Sequence, residues 1–102
     1  MQTQSARLSD EEIQVRLLAI SDWQLERGEL QSTFSLATFP QAIFFVDAVA
    51  HVAETEQHHP DISISYDKVT LRVATHAAGG ISEKDFTLAR RISQLWQVLR
   101  PL

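Results

Sequence analysis

Three of the chain's four histidines fall in the stretch EQHHPDISISYDKVTLRVATH, with His58 and His59 adjacent near its start and His76 at its end. An imidazole has an ordinary pKa near ~6.5, so it can give or take a proton near neutral pH without a large shift. A set of histidines therefore suits a reaction that needs an acid and a base together. Three histidines also hold some catalytic zinc ions, although adjacent residues aim their ring nitrogens awkwardly for one tetrahedral metal. The plainer alternative is structural. A His pair at a helix end gains about 0.3–1 kcal/mol from the helix dipole, and a lone His at a strand end is most often a solvated surface residue.

The elements around these residues decide whether they can meet. The segment from Gln41 to about His58 is rich in Ala, Ile, Phe and Val, has no internal Gly or Pro, and follows Pro40, which suits a first helical turn. A central buried helix is expected there, with Ala42, Val46, Val49 and Ala53 inward and His51, Glu54 and His58 on a polar stripe. Glu54, one turn before His58, could fix that imidazole's tautomer or form an ordinary i, i+4 pair. His51 is read as structural.

Pro60 is expected to end the helix. Beyond it Ile62, Ile64 and Tyr66 alternate with polar residues, as do Val69, Leu71 and Val73, which predicts a hairpin turning at Asp67-Lys68. Counting outward from that turn sets Tyr66 against Val69, Ile62 against Val73, and His59 against His76. Tyr66 and Trp23 are expected in the core rather than at a site.

Elsewhere, Ser9 and Glu12 have the form of a capping box, and Ile13, Leu17 and Ile20 recur at helical spacing. This predicts a first helix from about Asp10 to Ile20, after a frayed tail over residues 1–8. Trp23 and Leu25, then Leu30, Ser32, Phe34 and Leu36, alternate on either side of a turn at Glu26-Arg27-Gly28-Glu29. Gly79-Gly80 breaks the later strand. Ser82 and Asp85 can cap a last helix carrying Ala89, Ile92, Trp96 and Leu99, which Pro101 stops. The order α-β-β-α-β-β-α predicts a single α+β domain, residues 9–102, with an antiparallel four-stranded sheet and helices packed on one face.

Composition narrows the function classes. A chain of 102 residues with 9 Lys and Arg against 13 Asp and Glu, net charge −4, offers no basic surface for nucleic acid or anionic lipid. The absence of Cys excludes disulfides, thiolate nucleophiles and Cys-containing zinc sites. No apolar run approaches a membrane span and no signal peptide is visible, so a cytoplasmic location is expected. Trp96 and Leu99 beside Leu88, Ile92 and Leu95 give the last helix more apolar surface than one face needs, which predicts a homo-oligomer.

The pattern Glu54-x3-His58-His59-Pro60, followed by Tyr66, His76 and Asp85 at these spacings, resembles the signature of the pterin-4a-carbinolamine dehydratases. Val69, Leu71, Val73, Thr75-His76 and GGISEKD continue the likeness, and Trp23, Phe34, Phe39 and Ala42 extend it over nearly the whole chain from Trp23 onward. Three positions depart: Ser32 and Leu36 stand where many relatives have a basic residue and an aromatic, and Asp22 stands where they have Gly. The resemblance implies loss of water from a 4a-hydroxytetrahydropterin to give a quinonoid dihydropterin, in tetrahydropterin recycling. It implies His58 and His76 for acid–base work, His59 in the catalytic set and mainly holding the pterin, and Glu54 and Asp85 as further substrate-binding positions. Asp85 also fits the capping box, and the cap alone would account for it. No metal and no bound cofactor are implied. The expected partners are a small reduced pterin and further copies of the chain, in a homodimer or homotetramer. The alternative function is a dimerisation or assembly factor, or a transcriptional cofactor, on the same fold.

Overall fold

The computed structural model describes residues 6–102. Its elements run α1 (Asp10–Leu17), β1 (Gln24–Glu26), β2 (Glu29–Ser35), α2 (Phe39–Glu56), β3 (Asp61–Ser65), β4 (Lys68–Val73) and α3 (Glu83–Leu99). The four strands form one antiparallel sheet in the order β1-β2-β4-β3. The α+β order expected from the sequence is therefore the observed one.

Alternation explains the layers, because successive strand residues face opposite sides of a sheet. Leu30, Ser32 and Phe34 of β2 and Val69, Leu71 and Val73 of β4 are buried on one face, with Phe34 paired to Val69 and Leu30 to Val73. On the other face the Thr33 and Thr70 hydroxyls, directly opposite each other, meet at 2.9 Å. Two helices cover the apolar face: α2 through Ala42, Phe45, Val49 and Ala53, and α3 through Phe86, Leu88, Ala89 and Ile92. The centroids of Phe34, Phe45 and Trp96 lie 5.1–5.5 Å apart in edge-on and tilted pairs, and Trp23 stands edge-on to Phe34 at 6.0 Å. Such pairs add about 0.5–1.5 kcal/mol each beyond their burial.

Trp23 lies in the core as expected, and its indole N–H donates to Ser93 Oγ at 2.9 Å. The Ser93 hydroxyl donates in turn to Asp22 Oδ2 at 3.0 Å, and the buried Ser32 hydroxyl donates to the Asp22 carbonyl at 2.5 Å. Two of the positions at which this chain departs from the family pattern thus work together, tying the start of β1 to β2 and α3.

Several local expectations are corrected. Helix α2 stops at Glu56, before Pro60 is reached, because Gln57 turns left-handed at φ 53°. The N–H of Gln57 then donates to the Glu54 carbonyl and that of His58 to the Ala53 carbonyl, both at 3.1 Å, a Schellman closure. His58 accordingly leaves the helix, and the expected stripe of His51, Glu54 and His58 is broken at its last member. Helix α1 also ends earlier than expected, at Leu17.

The second hairpin turns at Tyr66-Asp67, so that Ser65 pairs with Lys68, Ile64 with Val69 and Ile62 with Leu71. Because β4 is a central strand, Lys68 is held in the sheet from both sides, by Ser35 and by Ser65. Asp67, released into the turn, accepts the Leu36 N–H on its carbonyl at 2.8 Å. The register is therefore two residues away from the expected count, and Tyr66, at φ 56°, is 69% exposed rather than part of the core.

Of the expected frayed tail, residues 1–5 lie outside the described residues. Leu8 is instead buried, and its N–H donates to the Ile81 carbonyl at 2.8 Å. In α3, Leu88 and Ile92 are buried while Leu95, Trp96 and Leu99 pack against the same core. Exposed apolar surface is carried more by Phe39, Ile43 and Phe44 of α2 and by Ile62 and Ile64 of the edge strand β3. Among the described residues no helix is long and apolar enough to cross a membrane.

The expected capping box forms at α1, where Ser9 N–H donates to Glu12 Oε1 at 2.8 Å and Glu12 N–H to Ser9 Oγ at 3.1 Å. The backbone hydrogen bond from Ser9, helped by the Ser9 hydroxyl and by Arg16, holds the Glu12 carboxyl below the usual carboxylate range. A depressed folded pKa contributes stability above the unfolded value and loses it as pH falls through the folded one. Wild type should therefore melt above Glu12→Ala at neutral pH, with the gap closing as pH is lowered through the carboxylate range. Thermal melts of both proteins across pH check this, and a gap independent of pH would remove the ionised carboxylate from the account.

Candidate active site

The site is organised around one carboxylate. Asp85 sits at the third position of α3, where a capping box directs its side chain back toward the helix start. Oδ2 accepts the Ser82 N–H at 2.9 Å and the Thr75 hydroxyl at 2.8 Å. Since Thr75 spends its proton on Asp85, the 2.7 Å contact between Thr75 Oγ1 and Ser82 Oγ is donated by Ser82. The carboxylate is 0% exposed, and among the described residues no buried side-chain polar atom lacks a partner.

One oxygen remains, Oδ1, and it takes His58 Nε2 at 2.6 Å. A carboxylate only accepts, so Nε2 carries the proton and Nδ1 is the ring's remaining basic nitrogen. The His58 side chain is 13% exposed, mostly buried just beyond the end of α2 and still in reach of solvent. Cap and site are thus the same residue. The sequence presented them as alternatives, whereas one oxygen serves the cap and the other serves His58.

Glu54 does not orient His58 as the helical spacing suggested. Because the chain leaves the helix at Gln57, the residue that returns to Glu54 is His59, with Nε2 at 3.1 Å from Glu54 Oε1. His59 is 65% exposed, and a pair in that setting is worth about 0.2–1 kcal/mol at most. His51 lies outside this group, exposed and 3.8 Å from Asp47.

His76 opens a single 3-10 turn, His76–Ala78, closed by Gly79 at φ 76°. Thr75 on its N-terminal side bridges to Gly80, and the side chain of His76 is exposed. The corrected register, continued from Asp61 opposite Arg72, brings His58 alongside Thr75 rather than His59 alongside His76. The hydrogen bonds agree, for His58 and Thr75 hold the two oxygens of one carboxylate. His58 and the His76 turn are therefore joined through Asp85. Among the described residues no group of three or more His, Asp or Glu side chains converges as a metal site requires.

A cleft of about 440 Å³ opens beside His76, walled by Ala74, Thr75, Gly79 and Gly80 and, opposite, by Arg27, Gly28 and Glu29 of the first hairpin. Its size suits a small ring system. His58 and His59 do not line it. The sequence pattern pointed to His76 and to Ser82 as the capping partner of Asp85, but not to Thr75 as a further partner, nor to the first hairpin as a wall. Thr75 and the hairpin residues are ordinary strand and turn types, and only strand pairing brings them near.

The family described as pterin 4 alpha carbinolamine dehydratase matches residues 6–95. A protein of Chloroflexus aurantiacus, provisionally named a pterin-4-alpha-carbinolamine dehydratase, is 52% identical over 89 residues, spanning 87% of this chain and 96% of that one. A Roseiflexus protein with the same provisional name is 48% identical over 91 residues, spanning 89% and 98%. Among solved structures, a transcriptional coactivator/pterin dehydratase from Brucella melitensis superposes with a TM-score of 0.82 at 30% identity, covering 87% of this chain and 97% of that one. A pterin dehydratase-like protein described as a RuBisCO assembly factor in the alpha-carboxysome superposes at 0.58 and 26% identity, covering 72% and 84%. With the fold, the His58-His59-Pro60 segment and the Asp85 cap all in place, this chain belongs to the pterin 4 alpha carbinolamine dehydratase family.

Proposed function

We propose that the protein dehydrates a 4a-hydroxytetrahydropterin, releasing water and a quinonoid dihydropterin for recycling. The reaction breaks the bond from carbon 4a to its hydroxyl oxygen, which leaves as water once protonated. A proton departs from ring nitrogen 5, and the electron pair it leaves forms the new carbon–nitrogen double bond. One acid and one base account for the whole change, with neither metal nor cofactor. His58 and His76 take these two roles, and His59, braced by Glu54, holds the pterin. Asp85 acts as a positioning residue through His58, its buried oxygens leaving none for substrate. The observation that carries the reading is the bond between this buried carboxylate and a partly exposed imidazole, joined through Thr75 to the turn of His76.

A second reading, an assembly or transcriptional role, draws on the roles described for the two structural neighbours and on the exposed Phe39, Ile43 and Phe44 of α2. A defined partner captured equally by wild type and by a protein lacking the three histidines would favour it. The same exposed residues, together with the unpaired edge of β3, support a homo-oligomer. Sedimentation should show a species heavier than the 11.5 kDa monomer at micromolar concentrations, and a monomer there would remove that claim.

His76→Ala should stay folded and lose about 10²–10⁴-fold in turnover of freshly generated carbinolamine, while His59→Ala should mainly raise KM. Wild-type turnover in a folded His76→Ala protein would end the acid–base assignment. Ser82→Ala should cost about 0.5–2 kcal/mol of stability yet keep turnover within a few-fold, since it removes a cap. Asp85→Asn should lose stability and turnover together and move the pH–rate profile. An unmoved profile with turnover retained would make Asp85 a cap alone.

A further inference from the structure

Thr75 stands between the two histidines to which the reaction is assigned, buried just beyond the end of β4. Its side chain serves one of them. The hydroxyl donates to Asp85 Oδ2 at 2.8 Å, and Oδ1 of the same carboxylate takes His58 Nε2 at 2.6 Å. Its backbone serves the other. The Thr75 N–H donates to the Gly80 carbonyl at 3.0 Å, and the Thr75 carbonyl accepts the N–H groups of Ala78 at 3.0 Å and Gly80 at 3.4 Å, closing the turn that His76 opens. That turn is also pinned from outside. Leu8 N–H donates to the Ile81 carbonyl at 2.8 Å, and a Cβ placed on Gly80 would meet Arg7 Nε at 3.0 Å, so the Arg7 side chain lies against that glycine.

The direction of the Thr75 hydroxyl is fixed by a chain of donors. Lys84 N–H donates to Ser82 Oγ at 3.2 Å, the Ser82 hydroxyl donates to Thr75 Oγ1 at 2.7 Å, and Thr75 passes its own proton to Asp85. Donors aligned in one sense polarise one another, which strengthens the last of them. The terminal torsion of an Asp side chain is broad, so a carboxylate held by one donor can turn. Thr75 adds a second donor to the oxygen that already takes the Ser82 N–H, and so sets the angle at which Oδ1 faces His58. We infer that Thr75 is a positioning residue of the dehydration: its hydroxyl holds Asp85 so that the His58 proton stays on Nε2 and leaves Nδ1 free, while its backbone places His76. This rests on the dehydratase reading and adds a residue to it. Thr75 also lines the cleft beside His76, so the rival role is a direct contact with substrate.

Thr75→Val keeps the branched shape and removes the hydroxyl. In the full chain, folded by circular dichroism, it should lower kcat for freshly generated carbinolamine about 10–10²-fold while KM stays within about threefold. Thr75→Ser restores the donor and should recover most of the loss. Imidazole NMR gives a readout that needs no substrate: the wild-type His58 ring should carry a slowly exchanging Nε2 proton, and in Thr75→Val that proton should exchange faster. Wild-type kcat in folded Thr75→Val, an equal loss in Thr75→Ser, or a rise in KM alone overturns the positioning role, the last by making Thr75 a substrate contact. If the wild-type protein leaves carbinolamine at the uncatalysed rate, the dehydratase reading falls, and the NMR signal then decides the Thr75 linkage by itself, with unchanged Nε2 proton exchange in Thr75→Val overturning it. A wild-type His58 proton on Nδ1 overturns the inference even where Thr75→Val does not fold.

Discussion

Burying a carboxylate completely is costly unless its oxygens are satisfied, and the way this fold satisfies Asp85 ties three separate stretches of chain together. The start of α3 supplies the Ser82 N–H, the end of β4 supplies the Thr75 hydroxyl, and the segment after α2 supplies His58. None of the three is adjacent to another in sequence. Oδ2 is shared by the first two and Oδ1 is left to His58 alone, so the placement of His58 follows from the need to pair the second oxygen.

The backbone prepares the same arrangement from the other direction. Gln57, in a left-handed conformation that costs a non-glycine residue energy, ends α2 and swings His58 off the helix toward Asp85. Had the helix continued to Pro60, His58 would have stayed on the stripe with Glu54. The Schellman bonds to the Ala53 and Glu54 carbonyls offset part of that cost. Helix termination is thus a positioning device here, and it also hands Glu54 to His59.

A rigid frame stands behind the site. The sheet face packed on α2 and α3 is closed by the Phe34, Phe45 and Trp96 cluster, and Trp23 is clamped through Ser93 to Asp22. The strands that carry Thr75 and the first hairpin leave this core at one end of the sheet, so their loops meet there. The outer faces of α2 and β3 take no part in that frame, which is consistent with a family whose structural neighbours include a coactivator and an assembly factor.

The sequence by itself determined the element order, the alternation that makes one face of the sheet apolar, and both capping boxes, and it singled out His58, His59 and His76 as candidates. These depend on local periodicity and on residue types with strong local preferences, and the spaced histidine pattern is specific enough to indicate the family. Tertiary structure decided the rest. The second hairpin's register was set by β4 pairing on both sides, which no count from one turn can include. Asp85 became both cap and partner of His58 because a carboxylate has two oxygens and only packing shows what reaches the second. The partners of Glu54 and Thr75, and the meeting of Arg7 with Gly80, are contacts between residues distant in sequence. Their energies depend on a few ångströms of three-dimensional placement that one-dimensional spacing does not carry.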